Sequence, residues 1–249
     1  MKCKWIIAFS LFLFAGLIFL PTMSHAEGEQ VSYSVKALLP DNQINSKHSY
    51  FDLQVEPNQT QKLKVEIFNH EARDITVQMD VRNASTNQNG IIVYDKTEEL
   101  DPSLKIPLTD VLTFETDEIV IPSGESKIVA VTLEVPNEEF EGIILGGLHF
   151  EKELNTMEEN KQGINIQNKY AYVIGVQLSE NDEEVLPDLQ LTSIRSDLIN
   201  HRTAGVITIQ NQAAVLVKDL SIHDKIYKRW KKRSLARKYS RSNYYGTKF

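Results

Sequence analysis

The feature that most constrains the fold of this chain is the alternation of apolar and polar residues along short segments. The segments with this period of two are residues 50–55, 62–68, 75–82 and 128–135. A period of two buries one face of a strand and leaves the other face wet, which is typical of antiparallel sheets packed on one side. No amphipathic helix competes with these segments, so the sequence predicts an all-β protein.

The spacing of the strands and turns predicts the domain organisation. Short strands separated by turn sequences such as Pro122-Ser123-Gly124 indicate a sandwich of two sheets, of the immunoglobulin type. A first sandwich is expected over residues 27–152, a linker over 153–163 and a second set of strands over 164–227. That second set is about half of a complete sandwich. We therefore expect two immunoglobulin-like β-sandwich domains, the second incomplete.

The start of the chain has the pattern of a cleaved export signal. Two lysines precede an apolar run over residues 5–20, and Ser24-His25-Ala26 places small residues at the spacing that signal peptidase requires. The alternative is a membrane anchor, but a span requires about 20 apolar residues. Removal of residues 1–26 would also remove Cys3, the single cysteine. We expect export to the cell wall or cell surface of a Gram-positive bacterium, or release to the medium.

Charge is distributed very unevenly along the chain. Residues 27–224 contain all 34 acidic residues and 15 basic ones, a net charge of −19, whereas the last 25 residues carry +10. An acidic body argues against nucleic acid as a partner, because phosphate binding requires a basic face. The basic tail, residues 228–249, has no strand alternation, and no membrane-spanning segment is present. It is either a disordered polybasic segment that binds anionic surfaces or, as we favour, the product of a frameshift.

Patterns typical of catalysis are missing from the sequence. The histidines of the mature chain lack metal-ligand spacing, and there is neither a Gly-x-Ser-x-Gly elbow nor a glycine-rich phosphate loop. Adjacent acidic pairs such as Glu138-Glu139 lie in turn sequence, where carboxylates are usually solvated. We therefore expect no enzymatic activity, no metal site and no cofactor.

Four sequence motifs, taken in order, resemble a known family. They are Tyr50-Phe51-Asp52-Leu53, residues 84–94, residues 120–125 and residues 142–150, which contain Gly146-Gly147. In this ordered set the chain resembles the WxL-interacting proteins of Gram-positive surfaces. The resemblance covers residues 31–152 and continues from about Gly163 to about Tyr227. In the family a transmembrane helix and a short basic tail follow, and this chain departs from the family there.

The resemblance implies a function for each half of the chain. The first domain of the family is assigned peptidoglycan binding, and the second is assigned binding to host matrix proteins. The expected partners are therefore peptidoglycan, WxL-domain surface proteins and a host extracellular matrix protein. The alternative is a chaperone-like sandwich that assembles a surface complex by pairing its strand edges with a partner.

The motif over residues 84–94 contains the candidate binding residues. Thr86, Asn87, Asn89 and Tyr94 offer hydroxyl, amide and aromatic groups that suit a sugar. The alternative is purely structural, because Asn and Gly tolerate positive φ and residues 84–94 would then form a strand–turn–strand corner. The Gly146-Gly147 pair inside an apolar strand similarly predicts a bulge or a close backbone approach.

Overall fold

The computed structural model describes residues 32–87, 89–95, 100–153, 169–228, 231–236 and 239–241, with side chains up to residue 225. The predicted export signal, residues 1–26, and most of the predicted linker, residues 153–163, lie outside the described part.

Eleven strands and one helical turn make up the first part of the structure. The strands are β1 Tyr33–Leu38, β2 Phe51–Gln54, β3 Thr60–Asn69, β4 Ile75–Asn83, β5 Ser85–Thr86, β6 Ile92–Val93, β7 Leu112–Phe114, β8 Glu118–Ile121, β9 Ser126–Glu134, β10 Ile144–Lys152 and β11 Ala171–Ser179. The helical turn is α1, Leu108–Val111. The alternation at 62–68, 75–82 and 128–135 corresponds to β3, β4 and β9, so the all-β prediction is confirmed.

Two sheets form a β-sandwich. One sheet has the strand order β1-β3-β9-β7, and the other has the order β2-β11-β10-β4-β8. All neighbours are antiparallel except β2 and β11, which run parallel. The inner faces meet in one core, and Leu63, Phe51, Leu148 and Phe150 are fully buried there. Burial of apolar area at about 25 cal/mol per Å² holds the two sheets together.

A buried hydrogen bond also joins the two sheets. The Tyr33 hydroxyl of β1 donates to the carbonyl oxygen of Phe150 in β10, at 2.9 Å. Burial raises the pKa of Tyr33 to about 12, so the phenol remains a donor. Because a buried hydroxyl without a partner would cost stability, this pairing fixes where the edge strand β1 lies.

Strand β11 belongs to the first sandwich. The sequence analysis assigned the strand pattern at residues 164–178 to the second domain. In the structure β11 pairs with β10 on one side and with β2 on the other. Its inward residues Ile174, Val176 and Leu178 are buried in the core between the two sheets of the first sandwich. The physical reason is that β2 and β10 each have an edge with backbone N–H and C=O groups, which pair with those of β11. Residues 180–188, which follow β11, form no strand.

The strands after β11 form separate two-stranded ladders. They are β12 Leu189–Ile199, β13 Arg202–Asn211, β14 Ser221–His223, β15 Ile226–Lys228, β16 Lys231–Ala236 and β17 Tyr239–Arg241. β12 pairs with β13, β14 with β17 and β15 with β16. Strands therefore reach into the basic tail, where the sequence analysis expected no regular structure. Backbone hydrogen bonds make such ladders, and they do not require side-chain alternation.

The β12–β13 hairpin has one apolar face. A register shift between Leu191 and Ser193 keeps the apolar residues on one side, although their spacing in the sequence changes. The residues of this face are Leu189, Leu191, Ile194, Leu198, Ile207 and Ile209. Leu191, Ile194 and Leu198 are 60–70 % exposed. An isolated two-stranded hairpin is only marginally stable in water. An exposed apolar face such as this one is typical of surfaces that pack against another surface.

The hairpin is tied to one end of the sandwich. The Gln210 carboxamide nitrogen donates to Asp101 Oδ1 and to Ser103 Oγ, both at 2.9 Å. The segment after β13 adds a backbone hydrogen bond from the Ile143 N–H to the carbonyl oxygen of Ala214, at 2.9 Å. These polar contacts place the hairpin relative to the first sandwich.

Gly142 makes this junction possible, which gives a first prediction. Its φ is +82°, and an added Cβ would lie 2.1 Å from the carbonyl oxygen of Ala214. We expect Gly142→Ala to lower the free energy of unfolding by about 1–3 kcal/mol and to make the hairpin easier to cleave. Urea denaturation and limited proteolysis measure both effects. Gly205→Ala is the control, because its Cβ would meet nothing within 4 Å, and equal effects of the two changes would contradict the prediction.

Candidate functional site

The predicted corner at residues 84–94 is confirmed as a strand–turn–strand unit. β5 and β6 pair across it, and the Asn87 N–H donates to the carbonyl oxygen of Ile91 at 3.0 Å. Asn87 Oδ1 accepts the N–H groups of Asn89 at 2.9 Å and Ile91 at 3.1 Å. Gly90 supplies the positive φ of +75° that the turn requires. The carboxamide oxygen of Asn87 therefore serves the turn.

The four predicted site residues separate into two places. Thr86, Asn87 and Asn89 lie in the corner, where Thr86 pairs with Ile92 and Asn89 is exposed. Tyr94 leaves the corner and lies, half-buried, on the outer face of the five-stranded sheet. The structure therefore brings Tyr94 to residues that are distant from it in sequence.

The Tyr94 ring lies over a pair of glycines. Gly147 of β10 and Gly175 of β11 are directly opposite one another in the ladder. A Cβ on Gly147 would lie 3.1 Å from Tyr94 Cδ1, and a Cβ on Gly175 would lie 3.5 Å from the Tyr94 hydroxyl oxygen. The missing side chains leave room for the ring on the sheet.

The Gly146-Gly147 pair makes close contacts in an unbroken strand. The register from Ile144 to Glu151 shows no bulge in the pairing with β11. On the inner face, a Cβ on Gly146 would lie 2.5 Å from Leu108 Cδ2 and 2.3 Å from the carbonyl oxygen of Arg82. The predicted close approach is therefore found, whereas the predicted bulge is not.

Arg82 and Asp80 of β4 flank Tyr94 on one side. Arg82 Nε is 2.7 Å from Asp80 Oδ1, and Nη2 is 3.1 Å from Oδ2. Arg82 Nη1 also donates to the carbonyl oxygen of Tyr94 at 3.3 Å. His149 of β10 lies opposite Asp80, with 3.6 Å between Nδ1 and Asp80 Oδ1. The Arg82 guanidinium therefore donates a hydrogen bond to the Tyr94 backbone, and its charge is paired with the carboxylate of Asp80.

Tyr50 and Asp52 flank Tyr94 on the other side. The Tyr50 side chain lies beside Gly175, and its ring stacks on that of His48 with 4.6 Å between centroids. His48 Nδ1 is 3.1 Å from Asp52 Oδ2, and the Gln177 amide donates to Asp52 Oδ1 at 3.0 Å. We name the surface formed by His48, Tyr50, Asp52, Asp80, Arg82, Tyr94, Gly147, His149, Gly175 and Gln177 the Tyr94 patch.

The environment of the patch favours the uncharged forms of Tyr50, Tyr94 and His149. Burial, and next the neighbouring Tyr50, raises the pKa of Tyr94. Burial, and next Asp52, raises the pKa of Tyr50. Burial first and Arg82 second lower the pKa of His149. The patch therefore presents neutral phenols and a neutral imidazole near neutral pH.

Sequence reasoning identified Tyr94 and missed most of the patch. Asp80 and Arg82 of β4 and His149 of β10 are polar residues on the outward side of their strands. The sequence analysis relied on the inward, apolar residues of strands. That alternation shows that these side chains point outward. It does not show that β4, β10, β11 and β2 are neighbours in that order.

Neither a metal centre nor a membrane-spanning helix is found in the described part of the chain. No group of three or more histidine or acidic side chains there could hold a metal ion. No helix among those residues is long and apolar enough to cross a bilayer.

The buried His149 gives a prediction of pH dependence. The unfolded chain takes up a proton on this imidazole near its ordinary pKa of 6.5, and the folded protein does so only at lower pH. Its contribution to stability is therefore complete above about pH 6.5 and is lost as the pH falls through the folded pKa. We expect His149→Gln to flatten the decline in unfolding free energy between about pH 7.5 and pH 5.

Urea denaturation across that pH range measures the effect. His70→Gln is the matched control, because His70 is exposed on the other sheet, and it should leave the decline unchanged. A His149→Gln variant with the same pH dependence as the parent protein would contradict the assignment.

Two sequence-family models match the chain in order. The model described as "WxL Interacting Protein, peptidoglycan binding domain" matches residues 33–152. The model described as "WxL Interacting Protein, host binding domain" matches residues 161–244. Together they cover most of the chain. No curated protein matches it.

Solved structures with a similar fold include chaperone and PapD-like domains. The CsuC-CsuE chaperone–tip adhesion subunit complex of Acinetobacter baumannii has a TM-score of 0.39 and 13% identity, covering 88% of this chain and 90% of that chain. The E. coli chaperone DraB has a TM-score of 0.35 and 9% identity, with 86% and 84% covered. PapD-like domain 7 of human CEP192 has a TM-score of 0.35 and 11% identity, with 61% and 87% covered. Similarity at this level carries no argument about function.

Proposed function

Because the chain belongs to the WxL-interacting protein family, we propose that it is an exported, non-enzymatic binding protein of the bacterial cell surface. Its first sandwich binds peptidoglycan, and its second part binds a protein. We assign peptidoglycan binding to the part that matches the peptidoglycan-binding model, residues 33–152, and protein binding to the part that matches the host-binding model, residues 161–244. The proposed location is the wall of a Gram-positive cell, after removal of residues 1–26.

The observation that carries the proposal is the position of Tyr94 on the glycine pair. An aromatic ring that lies over two glycines of a sheet, with hydrogen-bonding groups on both sides, suits the apolar C–H faces and the hydroxyls of wall saccharides. All but two of the patch residues lie within the matched peptidoglycan-binding domain, residues 33–152. Gly175 and Gln177 are the exceptions, because β11 completes this sheet.

The corner residues have a secondary role in the proposed site. Thr86 and Asn89 lie in the corner that precedes Tyr94 in the chain, and in this proposal they add polar contacts to a longer ligand. Asn87 acts as a positioning residue, because its carboxamide oxygen is already used by two backbone N–H groups.

The second part is proposed to bridge the wall-bound sandwich to WxL surface proteins or host matrix proteins. The exposed apolar face of the β12–β13 hairpin supports a protein partner, since uncovered apolar surface of this kind marks interaction sites. The hydrogen bonds of Gln210 to Asp101 and Ser103 attach the hairpin to the sandwich, which supports a bridging role. The linker at residues 153–163 stays a prediction, and the first sandwich is proposed to include β11, which pairs with β10 and β2.

A wall-binding assay with a single aromatic substitution tests the first function. The mature chain, residues 27–249, is mixed with purified cell walls and sedimented. We expect the parent protein in the pellet and Tyr94→Ala to have about tenfold weaker binding, because an aromatic contact contributes about 1–1.5 kcal/mol. Phe68→Ala is the matched control, since Phe68 is a partly exposed aromatic on the outer face of the other sheet.

The outcomes separate the function from the site. A parent protein that stays wholly in the supernatant would contradict peptidoglycan binding. Equal binding by Tyr94→Ala and Phe68→Ala would keep the function and remove the Tyr94 patch from it. Co-purification with a surface protein in the absence of walls, together with no sedimentation with walls, would instead favour the chaperone-like alternative.

A further inference from the structure

We propose that the Tyr94 patch binds the neutral glycan chain of peptidoglycan and not the anionic polymers of the wall. This inference rests on the proposed function, peptidoglycan binding by the first sandwich, and names the ligand class of that site. The glycan chain is made of N-acetylated amino sugars, which present flat apolar C–H faces, hydroxyls and amides.

The charges of the patch disfavour an anionic ligand. Arg82 is the cationic side chain of the patch, and both oxygens of Asp80 neutralise it through two contacts of 2.7 and 3.1 Å. The Arg82 side chain is only 17% exposed. A second carboxylate, Asp52, is bound by His48 and Gln177 and has no lysine or arginine partner among the described contacts. The patch is therefore neutral to acidic, which does not attract phosphate-rich polymers.

The aromatic groups of the patch suit a neutral sugar. The hydroxyl of the half-buried Tyr94 and the side chain of Tyr50 both lie beside Gly175, and the Tyr50 ring stacks on that of His48. The C–H face of a pyranose packs on such rings, and aromatic contacts gain from burial as well as from geometry. Since burial raises the pKa of both phenols, their hydroxyls stay protonated and can donate to sugar oxygens.

The hydrogen-bonding groups of the patch are held in fixed positions. Asp52, whose side chain is only 8% exposed, fixes His48 and Gln177, and Arg82 is held by Asp80 and by the carbonyl oxygen of Tyr94. A saccharide needs several donors and acceptors whose orientation costs little entropy on binding. Side chains fixed by such contacts meet that requirement, whereas flexible surface lysines do not.

Competition experiments on the whole mature chain test the ligand class. The parent protein is bound to purified walls, and chitotetraose, a neutral chain of N-acetylated amino sugars, is added at millimolar concentration. We expect it to displace the protein, and we expect less than about a twofold loss of wall binding between about 50 mM and 0.5 M salt, because uncharged contacts are not screened. Walls stripped of anionic polymers should bind as well as intact walls.

Two variants keep the test interpretable. Tyr94→Leu still covers the glycine pair but lacks the aromatic face, so it should stay folded in a thermal melt and lose at least about fivefold in binding to chitotetraose, measured by NMR titration. Phe68→Ala should bind as the parent does.

The inference is overturned if walls retain the protein but chitotetraose neither displaces it nor shifts its resonances. It is also overturned if a soluble anionic wall polymer shifts the resonances of the patch residues, a readout that separates the patch from the basic tail. Failure of the parent protein to bind any wall preparation, with an intact fold, would instead remove the proposed function on which the inference rests.

Discussion

The pairing of β11 with both β2 and β10 is the contact on which the rest of this structure depends. It joins two strands that are about 90 residues apart in the sequence, and it places Ile174, Val176 and Leu178 in the shared core. Because the sequence has a single cysteine and so no internal disulfide, long-range packing of this kind has to supply the stability. The same pairing places Gly175 opposite Gly147, and thereby creates the surface on which Tyr94 lies.

The candidate site follows from this sheet order. The outward side chains of β4, β10, β11 and β2 form adjacent rows, so Arg82, Gly147, Gly175 and Tyr50 lie side by side. The corner formed by β5 and β6 returns the chain to this surface and delivers Tyr94. A surface built on paired strands is rigid, and rigid placement lowers the entropic cost of binding.

The second part of the chain has a different balance of forces. Its hairpin exposes a row of leucine and isoleucine side chains on one face, while Gln210 and the Ala214 carbonyl oxygen tie it to the sandwich. Polar contacts therefore set its position, whereas its apolar face contributes little burial within the described residues. Polar attachment with little apolar burial suits a segment that is further stabilised when its apolar face packs against a partner.

The sequence by itself determined the strand segments at residues 50–55, 62–68, 75–82 and 128–135, the all-β class and the corner at residues 84–94, because the period of two and the Asn-Gly turn signal are local properties. It also placed Tyr94 among the candidate binding residues through a chemical inventory of one motif. The rest could not be predicted in this way. The assignment of β11 to the first sandwich, the position of Tyr94 over Gly147 and Gly175, and the placement of His149 opposite Asp80 all depend on which strands become neighbours. Only the tertiary structure decided this, because strand order is set by the competition of many edges for hydrogen bonds and of many apolar faces for one core.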